Sequence, residues 1–467
     1  MTIFIIVLLI NVSSAFGIYV PVEESTVETV EELKLRGFNL ISSSDIKNYF
    51  IQKSAMDKAP DWLKSRITQP LFTIKSTKDS INYTKIRLFI PYEKPPFSMI
   101  VQPIIKLGNE NIWPTAKFKD KFAADYERAF IKFDNSVFEA TFGRERFAMG
   151  PSTRYNLLLS GNAPSLDAFF MAYNGGRFKL SFLFSRLDNI IDENLSFMGD
   201  TIHSDTLNAR RFMSMRRLEY APFRRVQIGF TEAVIYGGEN AIPDLYYLNP
   251  VALSYPYEFI HTEMDHNILW DIDMKINLNS FAVYGEFLMD DFQYGKDEQG
   301  EPNHIGGLVG VRGVDPLKMK KTFFQLEYVK ISRWAYNHFH PWQRYEYRGY
   351  PLGYPSGPDI EELFAKFTFH AKPSLDLYTS VTYTTKGAAS INDTWPITEA
   401  PRVENEKFPS NNFMLSPISK CLNIKTGTTV IRNIHKWQLK VDTEICELRT
   451  NKETIFGGNI NASFNKR

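Results

Sequence analysis

Cysteine is almost absent from this chain. Two occur among 467 residues, Cys421 and Cys446, so it is no disulfide scaffold and holds no CxxC or Cys/His metal spacing. A dominant sign of charge is missing too. The net charge is +1, which removes any ground for binding nucleic acid or another polyanion through bulk charge. No apolar run reaches the ~20 residues that a membrane-spanning helix needs. G-x-S-x-G, HExxH and a phosphate loop are all lacking. No catalytic motif therefore points to an enzyme, no cofactor is expected, and no metal site is expected.

What the chain does have is aromatic residues: 14%, with 37 Phe and 23 Tyr. Aromatics favour strands and membrane–water interfaces, a composition that also suits an aromatic-rich soluble β protein. Residues Ile3 to Val12 form an apolar run followed by Ser13, Ser14, Ala15 and Gly17. The run is too short to span a bilayer, and cleavage after Ala15 or Gly17 satisfies the small-x-small rule of an export signal. A buried N-terminal element is the competing reading. Residues 1–17 are thus expected to be a signal peptide.

Residues 18–69 read as a helical periplasmic segment. Ser25-x-x-Glu28 is a capping box, Val27, Val30 and Leu33 recur at helical spacing, and Gly37 is a stop. Ser43 and Ser44 are expected to open a second helix carrying Ile46, Tyr49 and Phe50, and Pro60 and Asp61 a third. Helices this short need a larger partner to pack against. A barrel mouth is one, and a plain helical subdomain is another.

From residue 70 to 467 the period is two. Phe178, Leu180, Phe182 and Phe184 oppose Lys179, Ser181 and Ser185. Ile268, Trp270, Ile272 and Met274 oppose Asp271, Asp273 and Lys275. Leu363, Ala365, Phe367 and Phe369 oppose Lys366, Thr368 and His370. Successive side chains of a strand point to opposite faces. A soluble sandwich and a membrane barrel both alternate in this way. Run length and charge separate them: many runs last about 9–11 residues, as a tilted spanning strand does, and the polar faces carry full charges, which suits a wet lumen. The expected fold is an all-β transmembrane barrel of about 16–18 antiparallel strands, with outer-membrane lipid around it. Connections are unequal, short as at Asn174-Gly175-Gly176 and long over 237–267, 291–305, 333–359 and 386–420.

A hairpin turning at Asn433–Ile434 would set Cys421 opposite Cys446, and a cross-strand disulfide is expected there; two separate thiols are the alternative. Parity puts Tyr284, Glu286 and Asp290 on the lumen side, with Asp291 next to them. Arg144, Arg146 and Arg217 lie on strands of comparable polar face. These charges read as a ladder of Arg–carboxylate pairs filling the lumen, or as a path for a sugar or an ion. Glu232 shares parity with Val226, Ile228 and Phe230, an orientation costly in lipid. Either a bulge turns it inward, or it lies beyond the apolar band. Trp334, Tyr336, His338, His340, Trp342, Tyr345 and Tyr347 form a dense cluster in one long connection. Exposed aromatics beside polar groups suit the CH faces and hydroxyl edges of sugars; an interfacial girdle is the other reading.

Five blocks resemble the capsule-assembly Wzi family, in that family's order. They are FGRERFAMGPSTRYNLLLSGNAPSL (142–166), RRLEY-x-P…QIGFTEAVIYGG (216–238), LYYLNPVA (245–252) with Asp265 and Asn267, YGEFLMDDFQ (284–293) and GYPLGYPSGPD (349–359). His266 stands between Asp265 and Asn267, a departure from the family's pair. The resemblance implies an outer-membrane barrel of about 18 strands with helices at its periplasmic end. It also implies a lectin-like, non-catalytic role in holding or organising surface (capsular) polysaccharide. No nucleic-acid partner is expected, and the barrel is expected to be a monomer. A passive pore and, behind it, a barrel hydrolase are the alternatives.

Overall fold

A computed structural model describes residues 17–20, 24–37, 49–52, 72–78, 83–108, 117–119, 122–135, 137–192, 207–258, 266–291, 303–338, 340–393, 414–434, 437–450 and 454–466. Two short strands, β1 (Gly17–Val20) and β2 (Tyr49–Gln52), pair with each other, and the helix α1 (Glu24–Leu35) lies between them in sequence. The helix expected from Val27, Val30 and Leu33 is present, and it begins at Glu24, one residue before Ser25. The second expected helix does not extend over Tyr49 and Phe50, which belong to β2. β-propensity and pairing with β1 override the local helical spacing there. The expected helix at Pro60 and residues 1–16 of the expected signal lie outside the described residues.

The remaining elements form one closed sheet. They are β3 (Phe72–Lys78), β4 (Tyr83–Leu88), β5 (Ile90–Lys94), β6 (Phe97–Gly108), β7 (Lys117–Lys119), β8 (Phe122–Asp134), β9 (Phe138–Glu145), β10 (Leu166–Asn174) and β11 (Phe178–Arg186), followed by β12 (Ile190–Asp192), β13 (Leu207–Phe223), β14 (Val226–Gly238), β15 (His266–Leu278), β16 (Phe281–Asp291), β17 (His304–Val314) and β18 (Thr322–Ile331). A short hairpin, β19 (Glu346–Tyr347) with β20 (Tyr350–Pro351), sits in the next connection. Then come β21 (Ile360–Lys372), β22 (Leu375–Lys386), β23 (Ser419–Ile434), β24 (Trp437–Thr450) and β25 (Thr454–Lys466). β5 continues β4 along β6, while β7 and β12 extend the ladders of β8 and β13. Among the described residues the wall is therefore an antiparallel barrel of 18 strands. It closes where β25 pairs with β3, from Phe464↔Phe72 to Gly458↔Lys78. Closure leaves no strand edge, the condition for spanning lipid with strands.

The two faces differ as the alternation requires. Ile131, Phe142, Ile272, Val309, Leu363 and Ile445 are exposed on the outside, although all are large and apolar. Their neighbours in sequence turn inward, and Arg128, Arg217, Asp273 and Arg312 are almost wholly buried. A sandwich would bury the first set and wet the second. Short connections (Arg224–Arg225, Asn279–Ser280, Pro373–Ser374) gather at one end, the periplasmic side of such a barrel. Long ones leave from the other.

Register corrects the disulfide. Ile434 pairs with Trp437, so the hairpin is centred two residues later than expected. Cys421 lies across from Thr450, and Cys446 across from Lys425. The two Cα positions are thus offset by four residues along the ladder, about 13 Å at ~3.3 Å per residue, far beyond the reach of a bridge. Cys421 is a free thiol.

Candidate functional site

Helix α1 is driven into the lumen at the short-turn end. Val27, Val30 and Leu33 are buried, and Leu35 packs with the inward-facing Ala282, Val314 and Phe323. Its charged residues are tied to the wall. Lys366 donates to Glu28 (2.7 Å), Arg312 to Glu31 (2.6 Å), and Arg36 to Asp315 through two bonds (2.8 and 3.1 Å). His370 stands 3.0 Å from Glu32 and 2.6 Å from Asp376. Burial opposes ionisation of Glu31, but Lys34, Lys275 and Arg312 outweigh it and hold the carboxyl well below its ordinary value. Such pairs lose little to water, because both partners are desolvated and hydrogen-bonded.

From the other end the segment 146–165, between β9 and β10, folds down inside the barrel. Ser152 Oγ donates to Glu327 (2.5 Å) and Thr153 Oγ1 to Gln325 (2.7 Å). The Leu157 N–H donates to Glu286 (2.5 Å), and Leu157, Leu158 and Leu159 are all buried. Arg154 reaches Glu362 (2.6 Å) and the Tyr354 hydroxyl (2.8 Å). Burial pushes the Tyr354 phenol upward, whereas Arg154 is raised despite burial by Tyr354 and Glu362. Gly150 makes the descent possible. It has φ +124°, and an added Cβ would meet Asn156 and Glu286 at 2.6 Å. Arg312 bridges the two inserts, donating Nη2 to Glu31 of α1 and Nη1 to the Pro151 carbonyl at 2.7 Å.

The connection 332–359 forms the roof over that segment. Tyr336 hydroxyl donates to the Leu157 carbonyl (2.6 Å), and its backbone N–H donates to Asp290 (2.5 Å). Ser160 Oγ donates to the Gly353 carbonyl (2.6 Å). Gly353 lies so close that a Cβ would stand 2.3 Å from the Leu157 oxygen. Asp359 (φ 56°) accepts from the backbone N–H groups of Met414 (2.6 Å) and Leu415 (3.0 Å), and so ties a further outward connection down. Between α1, the inward segment and the β21–β25 wall a cavity of about 750 Å³ remains. Lys366, Lys425 and Lys440 face it together with Asp376, Asp442 and Glu444, and Thr382, Asn423 and Tyr378 lie among them. Mixed donors and acceptors with no net sign suit water or a neutral polyol, and give an ion of either sign no preference.

The aromatic cluster is split by this geometry. Trp334, Tyr336, Tyr345 and Tyr347 are buried. They are the roof's core, with Tyr336 and Tyr345 stacked at 5.9 Å, and so they are not the exposed sugar platform expected for them. A connection that turns into the lumen has a core of its own to fill, and these rings fill it. His338, His340 and Trp342 remain half-exposed, and His340 and Trp342 stack at 4.4 Å. Arg211 donates to the Trp342 carbonyl (2.7 Å) and fixes that turn to the wall.

The expected charge ladder is also divided. Arg217 is in it, paired with Asp273 (2.5 Å) and Glu219 (3.1 Å). Arg146 is in it as well, beside Glu127 (3.5 Å), which also holds Arg87. Glu286 and Asp290 do face inward, but their oxygens accept backbone N–H groups of the two inward connections. Asp291 sits half-buried at the register shift opposite His304. Arg144 is a correction: it pairs across from Asp167 on the outer face, in line with the exposed Phe142, and binds Asp167 (2.7 Å) and Asp125 (2.8 Å). Glu232 is another. No bulge interrupts β14 at that point; the carboxylate stays outward and is covered from outside. Sequence reading missed Arg312, Arg154 and Asp359, whose partners lie far along the chain.

The capsule assembly protein Wzi family profile matches residues 81–416, a span that includes both inward connections and most of the wall. The chain belongs to the Wzi family. Its fold is that of Wzi from Escherichia coli, a solved outer-membrane protein involved in group 1 capsule assembly and described as a carbohydrate-binding β-barrel. The two share 13% identity at a TM-score of 0.64, over 95% of this chain and 98% of that one. Pseudomonas aeruginosa OccD3 (OpdP) is a more distant likeness: 11% identity, TM-score 0.45, over 85% of this chain and 90% of that one. No curated protein matches. This Wzi-family chain is an outer-membrane barrel; no helix among the described residues is long and apolar enough to cross a membrane.

Proposed function

We propose that this barrel binds surface polysaccharide at its outward end and organises it there, without catalysis, as a monomer in outer-membrane lipid. The observation that supports this most is the double insertion into the lumen. A barrel with α1 below and segment 146–165 above is built to hold a surface steady and leaves little room for a through pore. Family membership agrees, since the E. coli relative is described as carbohydrate-binding. Within the outward end, the stacked pair His340–Trp342 with His338 beside it is the part of the aromatic cluster that a glycan can reach. A ring face for CH contact and imidazole nitrogens for hydroxyls are the groups a sugar needs.

The test is binding of purified barrel to capsular polysaccharide from its own host. Trp342→Ala is expected to weaken binding about tenfold, the equivalent of ~1.4 kcal/mol, with the folded barrel unchanged by heat-modifiability on gels. Unaltered affinity removes the pair from the site. No binding at all by wild-type barrel removes the glycan reading. The pore reading would be revived by stepwise conductance from wild-type protein in a planar bilayer.

A further inference from the structure

The outer face of the wall where β13, β14 and β15 meet carries a buried charge pair. Arg216 lies directly across from Glu232, and they are 3.4 Å apart. The ladder runs without a shift from Arg210↔Gly238 to Tyr220↔Ile228, so both side chains point outward with Leu218 and Ile228. Glu232 is six residues along β14 from Val226, about 15 Å above the short-turn end at ~3.3 Å per residue and ~40° tilt. That height falls inside an apolar band ~25 Å tall. A naked pair there would meet hydrocarbon.

It is not naked, because the connection leaving β14 lies flat against the wall. Arg216 donates to the carbonyls of Asn249 (2.8 Å) and Tyr247 (3.0 Å) and to Ser254 Oγ (3.1 Å). Glu232 accepts from the Ser254 N–H (2.7 Å) and from Trp270 Nε1 (3.2 Å). Tyr247 stacks on Tyr236 at 4.1 Å, and Phe212, Val234 and Tyr236 are buried beneath it. His266, whose position interrupts the family's Asp–Asn pair, meets the Tyr247 hydroxyl at 2.9 Å.

The outward side of this covering segment is apolar. Ile242, Leu245 and Val251 are 66%, 85% and 69% exposed, and Leu253 and Tyr255 join them. From Ala241 to Pro256 no charged side chain is exposed. Asn249 is the one exposed amide, and its oxygen accepts the N–H groups of Val251 and Ala252 (3.1 and 3.3 Å). The carboxylate of Asp244 is taken up by the Tyr246 N–H (2.7 Å). Connections that meet water are built from polar residues. This one ties the side chains of Asp244, Tyr246 and Asn249 to its own backbone and shows aliphatic side chains outward, in continuity with the exposed Leu218, Ile228 and Ile272 of the wall.

We propose that segment 241–256 is a flap lodged in the outer leaflet. It covers the polar seam Arg216–Glu232 and presents acyl chains with Ile242, Leu245 and Val251 in place of the wall it hides. Acyl chains of outer-leaflet lipid are its partner. The test uses the full chain carrying Cys421→Ser and Cys446→Ser, with one nitroxide label at Leu245→Cys, in phosphatidylcholine vesicles. Label collisions with oxygen are expected to exceed those with a water-soluble nickel chelate, as at Ile272→Cys and opposite to Glu239→Cys. Preference for the nickel chelate at position 245 overturns the proposal. Dipolar broadening between labels, with both collision rates suppressed, shows a second copy on this face and overturns it as well. Val251→Cys repeats the measurement, so a local disturbance at position 245 does not decide the outcome.

Discussion

Single side chains decide whether the lumen stays filled. Arg312 makes a charged bond to α1 and a second bond to the segment above it. Removing one partner of a buried pair leaves the other desolvated, at a cost of about 3–5 kcal/mol. Arg312→Met is therefore expected to loosen both inserts, read as new conductance in planar bilayers and faster proteolysis before β3. Glu31 sets a pH dependence with a defined sign. Its folded value lies below the ordinary 4.5, so its contribution is complete above that value and fades as pH falls through the depressed one. Protection of the α1 amides, corrected for the intrinsic exchange rate, should fall on acidification below the ordinary carboxylate range, and Glu31→Gln should flatten that acid limb while lowering protection at pH 7. Gly353→Ala forces a Cβ against the Leu157 carbonyl and is expected to lower the melting temperature of the folded barrel.

Strands and connections differ in how far the sequence reveals them. Residues such as Ile272 and Asp273 advertise their faces, because the pleat makes alternation a local property. The strand count followed from it, and so did the short and long ends. Register did not. Cys421 and Cys446 have the parity for a bridge, yet a hairpin centre moved by two residues parts them by four. Free-thiol labelling of protein isolated without reductant should therefore find Cys421 reactive, with no shift in gel mobility on reduction. The direction taken by long connections was hidden too. Trp334, Tyr336, Tyr345 and Tyr347 have the composition of a binding surface and of an interior alike. Only the long-range bonds from Tyr336 to Leu157 and Asp290 distinguish the two. Glu232 was legible as an anomaly, but its cover comes from a connection whose packing no local pattern encodes.

At the scale of the molecule, the barrel is turned inside out relative to a soluble domain: its exterior is greasy and its interior ionic. Substitutions should follow that rule. Ile272→Arg is expected to cost about 2–4 kcal/mol, as for a cation placed near the midplane on the lipid side, whereas Thr382→Lys, facing the cavity, should cost far less. Unfolding from vesicles in urea measures both. A soluble sandwich would give the opposite order.

The shared arginine has one further result. Because a single guanidinium holds a group above it and another below it, the two closures share a bonding partner, and any coupling between them acts with equal strength in both directions. A ligand pulling on the outward roof would thus be felt at the periplasmic mouth, some strand-length away. Protection of α1 against amide exchange, measured with and without bound polysaccharide, should differ in wild-type protein and coincide in Arg312→Met.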